Sequence, residues 1–107
     1  MKKSYKQMLE NKQLTEEMLL SCLATCEDII RKNAYLEKQW DAYWEFSDYT
    51  EVRLEWSTYR EKIRKALQQK YEMKKIIAMS KTYTDKVAQR TVKAVIELID
   101  SGVFDLV

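Results

Sequence analysis

Apolar residues recur every three or four positions along two long stretches of this chain, and almost nothing interrupts them. The first ladder runs Leu19, Cys22, Cys26, Ile29, Asn33, Leu36, Trp40, Tyr43; the second runs Val52, Trp56, Tyr59, Ile63, Ala66, Lys70, Met73, Ile77. Alternating steps of three and four keep one side of an α-helix on one seam. The chain has no proline and one glycine, Gly102, in 107 residues. Sheets and tight turns draw on both residue types, whereas long helices exclude both. These features predict an all-α fold: a long antiparallel helical hairpin over about 15–46 and 48–80, in a single helical domain spanning 1–107.

Local signals set the expected ends. Ser4 and Gln7 have capping-box spacing, so a short N-terminal helix is expected from Ser4 to about Lys12. Thr15 reads as the N-cap of the first long helix, with Glu16 and Glu17 in its first turn, where the helix dipole favours acids. Leu14 and Leu19 flank that cap at the spacing of a hydrophobic staple. Asp48 and Glu51 suggest a new helix start, which places the bend at 46–48; one continuous helix through this point is the rival reading.

If the chain folds back there, Trp40 meets Trp56, Leu36 meets Tyr59 and Ile29 meets Ala66, with Asn33 facing Ile63. Thr82 or Thr84 can cap a last helix over about 84–101, whose apolar face is Val87, Ala88, Thr91, Val92, Val95, Leu98 and Ile99. Gly102 suits a left-handed helix end with Val103 packing back on Leu98. The result is a three- or four-helix bundle.

The residue inventory points away from catalysis. Histidine is absent from the sequence, and with it the usual acid–base group near neutral pH. Neither a glycine-rich phosphate loop nor a nucleophile elbow is recognisable. Cys22 and Cys26, four apart in a helix, share a face but lack disulfide geometry. Two thiols without His cannot complete a zinc site. They read as small core residues. The expectation is a non-enzymatic protein with no cofactor and no metal. With no run near the ~20 apolar residues of a membrane span, and polar residues from Gln7 to Lys12 breaking any leader-like segment, a cytoplasmic location and no membrane partner are expected.

Charge is unevenly placed. Residues 1–51 carry 7 basic and 10 acidic side chains, residues 52–107 carry 12 and 7. Glu37, Asp41, Glu45 and Asp48 stack like charges at helical spacing, among a crowd of aromatics that includes all three tryptophans. Such a segment can fill the wide end of a hairpin, with its acids pairing to Arg53 and Arg60. It can equally anchor a partner, because Trp and Tyr dominate binding hot spots. Asp41, Trp44, Glu45, Asp48 and Tyr49 are the candidate partner-binding residues. The alternative surface is basic: Arg64, Lys65, Lys74, Lys75, Lys81, Lys86, Arg90 and Lys93 could follow a phosphate backbone. On the wet side of the first long helix, Glu27–Arg31 and Asp28–Lys32 are expected i,i+4 pairs.

In length and in its Trp-rich bend between two long helices, the chain resembles the WXG-type secretion partners, which carry Trp-x-Gly at the bend. Here the triplets are Trp40-Asp41-Ala42, Trp44-Glu45-Phe46 and Trp56-Ser57-Thr58, with Gly in none. The family is therefore not assigned, and a helical secretion or assembly partner stays an alternative role. In size and lack of catalytic residues the chain is similar to small phage-encoded inhibitors of host enzymes. The favoured expectation is a protein–protein interaction module, an inhibitor or regulator of a larger nucleic-acid-handling protein. A homodimer covering Phe104, Leu106 and the 84–101 face is expected too, and direct nucleic-acid binding is the runner-up.

Overall fold

The computed structural model describes residues 4–40, 48–70 and 86–107. Over these residues the chain forms α1 (Tyr5–Glu10), β1 (Gln13–Leu14), α2 (Glu16–Trp40), α3 (Asp48–Lys70), α4 (Lys86–Ser101) and β2 (Asp105–Leu106). The all-α bundle with a close-packed pair of long helices is as the ladders predict. The outer ends of the two long predicted helices and the Thr82 and Thr84 caps lie outside the described residues.

The N-terminal signals operate as read. Ser4 caps α1 through a reciprocal box, with Gln7 N–H donating to Ser4 Oγ and Ser4 N–H donating to Gln7 Oε1, both at 3.2 Å. The helix stops at Asn11, and Lys12 turns the chain with a left-handed φ of 55°. Thr15 Oγ1 then accepts the Met18 N–H at 3.1 Å and opens α2. Leu14 and Leu19 are both fully buried on either side of this cap, so the staple fixes the angle at which α2 leaves the N-terminal segment.

Helices α2 and α3 run antiparallel. Glu37 near the end of α2 binds Arg53 near the start of α3, and Glu27, ten residues back, binds Arg60, seven residues on. The pairing differs from the predicted one. Cys26 lies within electrostatic reach of Arg60 and Tyr59, and Glu37 binds Arg53 and Thr50 rather than lying level with Tyr59. The seams are thus displaced by about one heptad. A heptad ladder is self-similar, so a slide of seven residues presents the same faces, and the apolar seam alone does not select the register. The bend expected at 46–48 lies outside the described residues except for Asp48, the first residue of α3. Asn33, expected to face Ile63, is half-buried and donates from Nδ2 to the Ile29 carbonyl of its own helix at 2.8 Å.

The core is concentrated on the first half of α2. Met18, Leu19, Cys22, Leu23, Cys26 and Ile29 are buried there, against Trp56, Ile63, Ala66 and Leu67 of α3 and Val92, Val95 and Ile96 of α4. Most of the predicted α4 face packs inward, with Val92 and Val95 buried and Leu98 and Ile99 against the core, but Ile96 is buried as well and Val87 is 66% exposed. Lys62 of α3 pairs with Asp100 at 2.9 Å and marks where the end of α4 meets α3.

Gly102 takes the left-handed conformation expected of it, φ 73°, and donates to the Ile99 carbonyl. Val103 does not pack back on Leu98; it is 60% exposed, and its N–H donates to Ser101 Oγ. The chain turns instead toward its own N-terminal segment. Asp105 N–H reaches the Lys12 carbonyl at 2.8 Å and Val107 N–H the Leu14 carbonyl at 2.9 Å, making β1 and β2 a short parallel pair. Phe104 and Leu106 pack against the core, so apolar surface expected to cover a second copy is partly covered within the chain.

Ile63 is fully buried between the helices. Ile63→Ala is expected to lower stability by about 2–5 kcal/mol through lost burial and a residual cavity. Urea denaturation with a shifted midpoint and an unchanged slope is the check.

Candidate functional site

Beyond Ile29, α2 continues for eleven residues, about 16 Å of helix. No residue of α2 from Ile30 to Gln39 is buried. This distal half of the hairpin forms a ridge held by polar contacts. Glu37 receives two hydrogen bonds from Arg53, Nε to Oε2 and Nη2 to Oε1 at 3.1 Å, a forked arrangement that fixes both side chains in one plane. The Arg53 hydrogen bond holds the Glu37 carboxyl below the usual carboxylate range; desolvation opposes it, and a hydrogen bond with Thr50 adds to it. Trp56 closes the base of the ridge, 4% exposed and edge-on to Tyr59 at 5.2 Å. The Tyr59 hydroxyl donates to Glu55 at 2.6 Å, and that bond, with desolvation and the Glu55 charge, pushes the phenol up to about 12.

Among the candidate acidic–aromatic residues, Asp41, Trp44 and Glu45 lie outside the described residues. Asp48 is exposed in the first turn of α3, and Tyr49 beside it is half-buried. Two further side chains stand out from the ridge: Tyr35, 64% exposed, and Leu54, 46% exposed. Both sit off the apolar ladders, which is the signal by which they could have been selected. The expected pairing of the acids with the returning helix holds for Glu37 and Arg53. Arg60 instead engages Glu27 at 3.2 Å, and Arg64 also lies 3.8 Å from that carboxylate. Glu27 therefore bridges the hairpin rather than pairing with Arg31 on the wet side. Asp28, only 7% exposed, takes both Arg31 and Lys32 at 3.1 Å.

The basic candidates separate. Arg64 is engaged by Glu27 and Glu61. Lys65 is exposed on α3, and Lys74, Lys75 and Lys81 lie outside the described residues. Lys86, Arg90 and Lys93 form an exposed stripe along α4, steps of four and three on the side away from Val92, Val95 and Ile96.

Cys22 and Cys26 are core residues. Burial pushes both thiols up to about 12, so each stays protonated near neutral pH and is a poor nucleophile or metal ligand. Among the described residues no group of three or more His, Cys, Asp or Glu is gathered for a metal, and no helix is long and apolar enough to cross a membrane. No protein-family model matches the chain, and no similar curated protein or solved structure is found.

The Glu37–Arg53 clamp has a signed pH dependence. A carboxyl lowered in the folded state adds stability above its unfolded pKa of about 4.3 and loses it as pH falls through the folded value. Thermal melts of the wild type between about pH 5 and pH 2 should fall more steeply than those of Glu37→Gln, which cannot titrate there. Parallel curves would remove the clamp from the stability of the ridge.

Proposed function

We propose that this chain is a non-enzymatic docking module that binds another protein through the distal half of its hairpin, and so regulates or inhibits that larger partner. The observation that carries this reading is the pre-ordered ridge itself. Arg53 and Glu37 lock its two helices together, while Tyr35 and Leu54 stand exposed on it. A rigid scaffold that holds an aromatic and an aliphatic side chain out in water lowers the ordering cost of association. Tyr is also among the residues enriched at binding hot spots. Asp48, exposed in the first turn of α3, adds a charge at the rim that favours a basic partner surface. The role as a phage-type inhibitor, or as a secretion or assembly partner, would be served by the same ridge.

The test is affinity capture from nuclease-treated lysate with wild type and with Tyr35→Ala/Leu54→Ala. Both positions are exposed, so the double variant should keep its helical circular dichroism and melt within a few degrees of wild type. A specific protein held by wild type should be lost from the variant. Equal recovery by both would remove the ridge as the docking surface.

Direct nucleic-acid binding is the second reading, favoured by the exposed α4 stripe of Lys86, Arg90 and Lys93. If those three cations neutralise phosphates alone, binding to duplex DNA should weaken with salt at a log–log slope of about −2.7, and charge reversal of the three should abolish it. A mobility shift absent at low salt would leave the docking reading unopposed.

A further inference from the structure

The distal half of the hairpin sorts its exposed charge by helix. From Ile30 to Gln39 the exposed residues of α2 are three cations, Arg31, Lys32 and Lys38, with Tyr35 and Gln39. From Asp48 to Thr58 the exposed residues of α3 are three acids, Asp48, Glu51 and Glu55, with Leu54 and Thr58. Each stretch contains one charge of the opposite sign, Glu37 on α2 and Arg53 on α3. Those two bind each other across the hairpin and leave the outward charges uniform in sign. Asp28, at the base of the α2 rail, is shared by Arg31 and Lys32, and one carboxylate does not offset three cations.

Uniform sign is costly within one molecule. Asp48 and Glu51 stand three apart, and Glu51 and Glu55 four apart, on one helix; like charges at these spacings are neighbours and destabilise it. Opposite charge brought from outside relieves that repulsion. The apolar side chains and the charges also fall at matching heights. By the rise of an α-helix, Tyr35 lies about 3 Å and Leu54 about 1.5 Å from the Glu37–Arg53 rung toward the bundle. Lys38 and Glu51 lie about 1.5 Å and about 3 Å from it toward the tip. A second hairpin set alongside and pointing the same way brings its Leu54 level with Tyr35 and its Glu51 level with Lys38.

We propose that the distal half of the hairpin is self-complementary: the basic α2 rail of one copy docks on the acidic α3 rail of a second copy, with Tyr35 against Leu54 among the charges. The contact shares the ridge with the docking reading without depending on it. In the associated form it covers the surface that a different partner would take.

The experiment is analytical ultracentrifugation of the wild type and of two charge reversals, Lys38→Glu and Glu51→Lys, both at exposed positions. At about 100 μM protein in about 10 mM salt, where charges interact over about 30 Å, the wild type should sediment above the monomer mass. At about 1 M salt, where that range is about 3 Å, it should return to the monomer. Each reversal alone sets like charges against each other and should stay monomeric at low salt. Mixed in equal amounts the two should associate as the wild type does, because each reversal then meets its complement. Should a reversal not fold, Lys38→Gln and Glu51→Gln, which only delete charge, should each weaken association about two- to fivefold, the factor an exposed ion pair supplies. A wild type monomeric at low salt, association unchanged at high salt, or a mixture as monomeric as its components would overturn the proposal. The lysate capture with Tyr35→Ala/Leu54→Ala is a separate readout. A monomeric wild type that still captures a protein removes self-association alone, and a self-associating one whose capture the double variant does not change removes docking alone.

Discussion

The architecture depends on the way α2 is enclosed over its first half and only flanked over its second. From Met18 to Ile29 it buries residues toward both α3 and α4, with α1 and Leu14 closing its start. Each fully buried Leu, Met or Ile there stabilises the fold by about 1.5–3 kcal/mol relative to exposure. Beyond Ile29 that source ends, and the hairpin is continued by helix propensity, by its seam and by ion pairs. One helix therefore serves as the centre of a bundle and as one rail of a ridge. The terminal segments reinforce the enclosed end. Lys12 turns left-handed and aims its carbonyl at Asp105, so the strand pair fastens both ends of the chain beside Leu14.

Ion pairs across the hairpin contribute less to stability than to register. Pairs as exposed as Arg64 and Glu27, each about 40% open to solvent, are worth at most about 1 kcal/mol. Their effect is to distinguish arrangements that the apolar seam alone leaves close in energy. A slide by one heptad would return apolar faces to one another but would separate Glu37 from Arg53 and Glu27 from Arg60. Like-for-like seams need some such specifier, and polar or charged groups beside the core are a common one. Asn33, the polar member of the seam, bonds to its own helix instead.

What could be read from the residues, and what could not, follows from the range of each interaction. The Ser4–Gln7 box, the Thr15 cap, the Leu14–Leu19 staple and Gly102 involve groups within about five positions, and all four operate as their spacing implies. Periodicity located the faces of α2 and α3 for the same reason. The register was not legible, because alternating ladders align equally well at several offsets and the discriminating contacts join residues 16 and 33 positions apart. Val87 was assigned inward because it fits a helical face by hydrophobicity; Ile96, on the side that meets the other helices, is inside instead. The strand pair gives no periodic signal at two residues per strand. At the candidate site, Asp48 and Tyr49 are marked by the acidic–aromatic clustering around them, whereas Tyr35 and Leu54 stand outside the apolar ladders and carry no such local signal.

Charge shows the same division between sequence and structure. A net +5 over residues 52–107 suggests a broad basic surface, but folding engages much of the α3 share internally. Arg53 binds Glu37, Arg60 and Arg64 converge on Glu27, and Lys62 binds Asp100. Three of these four cations take their acids from the acidic first half of the chain, so the segregation along the sequence is partly what holds the two long helices together. The described cations left facing solvent on α4 form a three-residue stripe. Three charges can steer a polyanion or add to an interface, yet at physiological salt they are screened beyond about 8 Å. A surface that small gains affinity mainly from what lies beside it. In this fold the neighbouring features are the apolar rim at Val87 and a cleft whose lining mixes apolar side chains with the hydroxyls of Tyr5, Ser21, Thr25 and Thr91, so contacts beside the stripe would add shape and hydrogen bonding to its charge.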